Sequence, residues 1–112
     1  MQAEITKSPL KTKKFKVVIT DGKKKKTINF GAKGYEDYTI HNNDERKYRY
    51  INRHKGMNED WQDPFTAGFW ALHALWNKKT LSSSLKDIKD KRAEWYFDVK
   101  VAMRYGLVDE IL

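Results

Sequence analysis

The sequence predicts an α+β fold: one small domain in which an N-terminal β-hairpin packs on three or four helices. Three observations carry that expectation. Residues 14–31 alternate apolar and polar side chains around Asp21-Gly22. From residue 43 onward, apolar residues recur at three- and four-residue spacing. The chain has 112 residues, 39% hydrophobic and 13% aromatic, enough for one modest core.

The elements follow in order. Residues 1–13 hold Pro9, scattered lysines and few large apolar groups, and read as a flexible basic arm ahead of a domain spanning 14–112. Phe15, Val17 and Ile19 alternate with Lys16, Val18 and Thr20, then Ile28 and Phe30 resume a strand after the turn. Asp21-Gly22 marks that turn, because Gly reaches positive φ at little cost. Lys23 to Lys26 are expected at or just after it, projecting into solvent. Gly31 and Gly34 bracket a loop, and 38–41 reads as a short extended piece.

Asn42 or Asn43 suits an N-cap, with Asp44 and Glu45 in the first turn of a helix over 43–55 that Gly56 stops. Tyr48, Ile51 and His54 are expected on one side of it, with Arg46, Lys47, Arg49, Arg53 and Lys55 around the rest. Asp63-Pro64 opens a central helix over 63–76, whose Phe65, Phe69, Leu72 and Trp76 form an apolar stripe. Thr80 caps a further helix with Leu81, Leu85 and Ile88 on one face, and its Ser82, Ser83 and Ser84 read as surface serines. Val99, Ala102 and Met103 predict a last helix over 94–105, ended by Gly106 and followed by apolar Leu107, Val108 and Ile111.

Composition narrows function. There is no Cys, which removes disulfides, thiolate nucleophiles and cysteine zinc sites. No apolar run resembles a signal peptide or approaches the roughly 20 residues of a bilayer span, so a soluble, non-secreted protein is expected. The net charge of +8 is lopsided: residues 1–56 hold fifteen Lys/Arg against six Asp/Glu, a balance of +9, and residues 57–112 hold eight against nine, a balance of −1. Such asymmetry predicts a polyanionic partner for the first half, and equally fits a solvated lysine-rich surface.

Two blocks of residues carry a resemblance. The first is Asp21-Gly22, Asn29 through Tyr35, Asp37-Tyr38-Thr39, Glu45-Arg46 and Tyr50 through His54. The second is Asn58 through Trp61, Asp63-Pro64, Thr66 through Trp70, Leu75-Trp76-Asn77 and Thr80-Leu81. Together, over about residues 14–90, they resemble a family of short uncharacterised proteins from large DNA viruses of algae and protists. The resemblance implies a viral origin, an intracellular place in the infected host or in the virion, and no activity. The stretch Ala102 to Ile111 resembles the C-terminal tail of Clp-type serine protease subunits, but no nucleophile motif accompanies it, so no protease activity is carried over.

No constellation points to catalysis, so a non-enzyme is expected. His41, His54 and His73 lack metal-ligand spacing, and the carboxylates around Asp60 match no calcium loop. Gly31-Ala32-Lys33-Gly34 is too short for a phosphate cradle. No cofactor or small-molecule substrate is expected. Trp70 and Trp76 fit a core; Trp61 and Trp95 lie among charges and are candidates for stacking on bases. The sharpest hint is the basic set of Lys23, Lys24, Lys25, Lys26, Arg46, Lys47, Arg49, Arg53 and Lys55, which could form one surface tracking nucleic-acid phosphates without sequence preference. The alternative is a minor capsid or cement component of a virus particle, gripping acidic neighbouring subunits with the same charges.

Overall fold

The computed structural model describes residues 1–57 and 60–92, and the backbone of 96–97. The hairpin forms as its alternation dictates. β2 (Lys13–Asp21) pairs antiparallel with β3 (Lys24–Ala32), and Asp21 opposite Lys24 leaves a two-residue turn at Gly22-Lys23. Gly22 takes φ +62°, the conformation for which glycine suits such a turn. Phe15, Val17, Ile19, Ile28 and Phe30 are buried on one face of the pair.

The N-terminal segment differs from the expected arm. Gln2–Lys7 is a strand, β1, paired antiparallel with β2 from Gln2 opposite Thr20 to Lys7 opposite Phe15. Ala3 is fully buried and Ile5 nearly so. The period-two signal is there, but it rests on one alanine and one isoleucine. The free edge of β2 supplies the hydrogen-bond partners that so short a segment lacks alone. Tyr96–Phe97, inside the segment expected to be the last helix, forms a two-residue strand, β4, parallel to Gln2–Ala3. The sheet order is therefore β3-β2-β1-β4. The rest of the expected helix, Trp95 and the tail from Ala102 lie outside the described residues.

The helices follow the hairpin in the chain. Tyr38–His41 is a short helix, α1, not an extended piece: the Asp37 carboxylate accepts from Thr39 N at 2.9 Å, a cap that outweighs the β tendency of Tyr-Thr-Ile. α2 (Asp44–Lys55) is capped by Asn43, whose side chain accepts from Arg46 N. Gly56 ends it in a right-handed conformation, φ −81°. The buried side chain of α2 is Tyr50, while Tyr48, expected on one side with Ile51 and His54, is 67% exposed.

The central helix starts later than Asp63-Pro64 suggests. The Asp63 carboxylate accepts from Phe65 N and its carbonyl from the Thr66 hydroxyl, which makes a separate turn. Thr66 then caps α3 (Ala67–Trp70), which continues as a wide π-helical turn over Ala71–Leu75. Phe69 and Trp70 are fully buried, and Phe30 meets Trp70 with ring centroids 6.2 Å apart. α4 (Leu81–Lys91) begins at Thr80, as its sequence predicts, and buries Leu81, Leu85 and Ile88. Ser84 is not a surface serine. It is fully buried, and its hydroxyl accepts from Lys78 N at 3.0 Å. One core joins the sheet's inner face to α3, its π turn and α4. The fold is a small α+β domain.

Candidate nucleic-acid interface

The nine basic candidates do not behave as one set. Lys24 and Lys26 are exposed, as expected, but even-numbered residues of β3 share the face of Ile28 and Phe30, which brings both lysines alongside Phe65. Lys26 Nζ donates to the Phe65 carbonyl at 2.7 Å, and Lys24 Nζ stands 4.0 Å from the Phe65 ring centroid. Lys23, in the turn, and Lys25, on the opposite face of β3, are exposed. On α2, Lys47 reaches back into the structure. Its Nζ donates to the Asn77 carbonyl at 2.5 Å and lies 4.8 Å from the Tyr38 ring. Burial, reinforced by Lys78, lowers its pKa. Arg49 pairs with Glu45 one turn away at 2.5 Å in full view of solvent, a contact of small energy. Lys55 is exposed.

Arg46 and Arg53 have a different setting. With Tyr50 and His54 they follow i, i+4, i+7, i+8 spacing, so one face of α2 presents all four. That face borders a cleft of about 500 Å³. Across the cleft stand Lys13 and Lys14 at the open end of the hairpin, and Tyr35, Glu36 and Asp37 from the loop before α1. Phe30, Gly31, Ala67, Gly68, Ala71, Leu75 and Trp76 complete its lining. The hairpin tip lies at the other end of β2 and β3, eight residue steps or about 26 Å along the strands. The two basic groups that the sequence suggested as one surface are thus separated along the hairpin.

The cleft exists because small residues meet at its base. Gly31 has φ +80°, and a Cβ there would lie 2.8 Å from Leu75 Cδ1 and 3.3 Å from Lys14 Cβ. Only glycine lets β3 come this close to the π turn. Gly68 and Ala71 bring no bulk of their own. One wall is an aromatic column. Tyr38 meets His41 at 6.2 Å, His41 meets Trp76 at 5.3 Å, Trp76 stacks on Tyr50 at 4.2 Å with planes 2° apart, and Tyr50 meets His54 at 4.1 Å. Trp76 is only partly buried, and its place in this wall is not visible in a sequence that assigns it to the core stripe. Tyr35, at the mouth, is 73% exposed.

The electrostatics favour an anion. The cleft gathers four cationic side chains against two carboxylates. Lys14 Nζ and the buried Asp37 carboxylate pair at 2.7 Å, and Arg46 lies 3.6 Å from Glu36. Among the described residues, Lys13 and Arg53 have no ion-pair partner. His41 is shifted toward its neutral form. Burial lowers its pKa and Arg46 adds to the effect, while its Nδ1 accepts from Asn43 N at 2.9 Å. Its Nε2–H is buried without a partner among the described residues.

Of the stacking candidates, Trp61 is half-buried and its carbonyl accepts from His73 Nε2 at 3.0 Å; Trp95 lies outside the described residues. Among the described residues, no three His, Cys, Asp or Glu side chains are grouped to hold a metal ion. No helix among them is long and apolar enough to cross a membrane. No curated protein and no solved structure matches the chain. Residues 3–54 match the profile of a family of unknown function, DUF5754. That match runs from β1 almost to the end of α2, and so contains the cationic half of the cleft but not Ala67 through Trp76.

Proposed function

We propose that this protein is a non-enzymatic nucleic-acid-binding protein that holds single strands, without sequence preference, at the cleft between α2 and the open end of the hairpin. The observation that carries the reading is the convergence of Lys13, Lys14, Arg46 and Arg53, from two separate elements, on one cleft walled by aromatic rings. Cationic grooves that track phosphates beside aromatic side chains are how single strands are held, since every base has a face to stack. A concave site of about 500 Å³ suits a strand with unpaired bases better than a stiff duplex. The +9 balance of residues 1–56 gives the long-range attraction.

Fluorescence anisotropy with a labelled 12-nucleotide single strand tests this. Binding at 50 mM salt is expected, tighter for the single strand than for a duplex of equal length. Lys13→Ala with Arg53→Ala should weaken it roughly 50-fold, from counterion release of about 0.7 per phosphate contact at that salt. No binding, or equal binding by the double variant, would refute the reading. The alternative, an architectural component of a virus particle that grips acidic subunits, draws on exposed Lys23 and Lys25 and on β3, which among the described residues pairs on one side only. It predicts no affinity for either nucleic acid.

A further inference from the structure

We infer that the cleft is a nucleotide pocket: it seats one base in its apolar interior and one phosphate on Arg53 and Lys13 at its rim. The inference rests on the single-strand reading and adds what that reading does not require, a defined seat for one nucleotide. The size fits, since about 500 Å³ lies within the roughly 300–1,000 Å³ of small-molecule sites. The division of chemistry fits too. The lining combines apolar Phe30, Gly31, Ala71 and Leu75 with the cations Lys13 and Arg53, while Lys14 is taken up by the buried Asp37 carboxylate. A base needs the first and a phosphate the second.

A second observation points to the same place. Ala71 and Leu75, at the two ends of the π-helical turn, both line the cleft. π turns are rare and occur frequently at functional sites. Here the wide turn combines with Gly31 at φ +80°, so two unusual backbone features meet at one pocket. Exposed Tyr35 at the mouth offers a face for the next base of a strand. A base with one phosphate is supplied equally by a free mononucleotide or by a nucleotide within a strand.

The experiment measures binding of adenosine 5′-monophosphate and of a 5′-phosphorylated oligo(dA) hexamer to the full chain by calorimetry, with ribose 5-phosphate as the probe lacking a base. Ala67 lines the mouth and is exposed, so Ala67→Leu narrows the entrance without touching the core. The expected result is that Ala67→Leu weakens the hexamer at least tenfold and that ribose 5-phosphate binds at least tenfold more weakly than adenosine 5′-monophosphate. Competition of the mononucleotide with the hexamer assigns free nucleotides as ligands. Binding of the hexamer alone, still sensitive to Ala67→Leu, assigns the strand. If Ala67→Leu unfolds, Arg53→Glu takes its place on exposed surface, with the same tenfold loss expected for both ligands. Hexamer binding unchanged by Ala67→Leu would overturn the pocket and leave the single-strand reading intact, whereas hexamer binding unchanged by Arg53→Glu would overturn both. Absence of hexamer binding to the unaltered protein would overturn both.

Discussion

Trp70 shows how much one side chain carries. It is fully buried against Phe30 and Phe69, and its Nε1 donates to the Pro64 carbonyl at 2.7 Å. Trp70→Ala should lower unfolding free energy by about 3–5 kcal/mol, read by denaturant titration. A loss under about 1 kcal/mol would place α3 outside the core. Lys14 and Asp37 form a nearly buried ion pair, and Lys14→Met leaves the carboxylate with the Thr39 donors alone. A loss of about 3 kcal/mol follows, at the lower end for breaking such a pair because those donors remain. His73 sets an acid limit. Burial lowers its pKa below 6.5, Arg92 and Lys91 add to this, and the bond to the Trp61 carbonyl and Asp87 oppose it. The folded state therefore binds the proton less readily than the unfolded one. The stability contributed is present above pH 6.5 and is lost as pH falls from there through the lowered value. His41 acts in the same direction. In thermal melts from pH 7 to pH 5, His73→Gln should show a smaller fall in midpoint than the unaltered protein; an equal fall would contradict the assignment.

Elements differ in how plainly the sequence announces them. α2 and α4 were legible from their caps, because Asn43 and Thr80 each accept from the backbone N–H three residues on. The hairpin was legible from Gly22 and the alternation on either side. β1 was not, since Ala3 and Ile5 make a weak pattern until β2 is there to pair with them. Asp63-Pro64 misled by one turn because Asp63 caps a turn of its own and Thr66 caps the helix. The cleft was half legible. Arg46, Tyr50, Arg53 and His54 share one helical face on spacing alone, but nothing local brings Lys13, Gly31 and Trp76 to that face. β1 gives the sharpest test at this scale. Deleting residues 1–7 removes Ala3 and Ile5 from the core and strips β2 of one neighbour. Circular dichroism should show loss of the cooperative transition, whereas removal of a flexible arm would leave the melt unchanged. Lys47→Ala should destabilise by about 1–2 kcal/mol, through the lost charged hydrogen bond to Asn77, without altering binding of single strands. A loss of affinity at unchanged stability would return Lys47 to the binding set.

Across the whole molecule, charge and core are divided between the two halves of the chain. The basic first half contributes β1, β2, β3, α1 and α2; the near-neutral second half supplies β4 and also α3, its π turn and α4, which cover the sheet's inner face. The cleft lies where the halves meet, with cations from the first and small apolar residues from the second. The charges of the first half are split between the hairpin tip and the cleft, and several of them already have partners. Exposed Lys24 and Lys26 rest against Phe65, Lys47 is bonded to Asn77, and Arg49 answers Glu45. Beside exposed Lys23, Lys25 and Lys55, the charges that converge on one site are those of the cleft. The salt dependence of single-strand binding, for the unaltered protein and for Lys13→Ala with Arg53→Ala, tests this most directly. Four phosphate contacts predict that log affinity falls with log salt at a slope of about −2.8, and losing two contacts should bring it to about −1.4, from about 0.7 per contact. Equal slopes for the two proteins, or a slope near zero for the unaltered one, would contradict it.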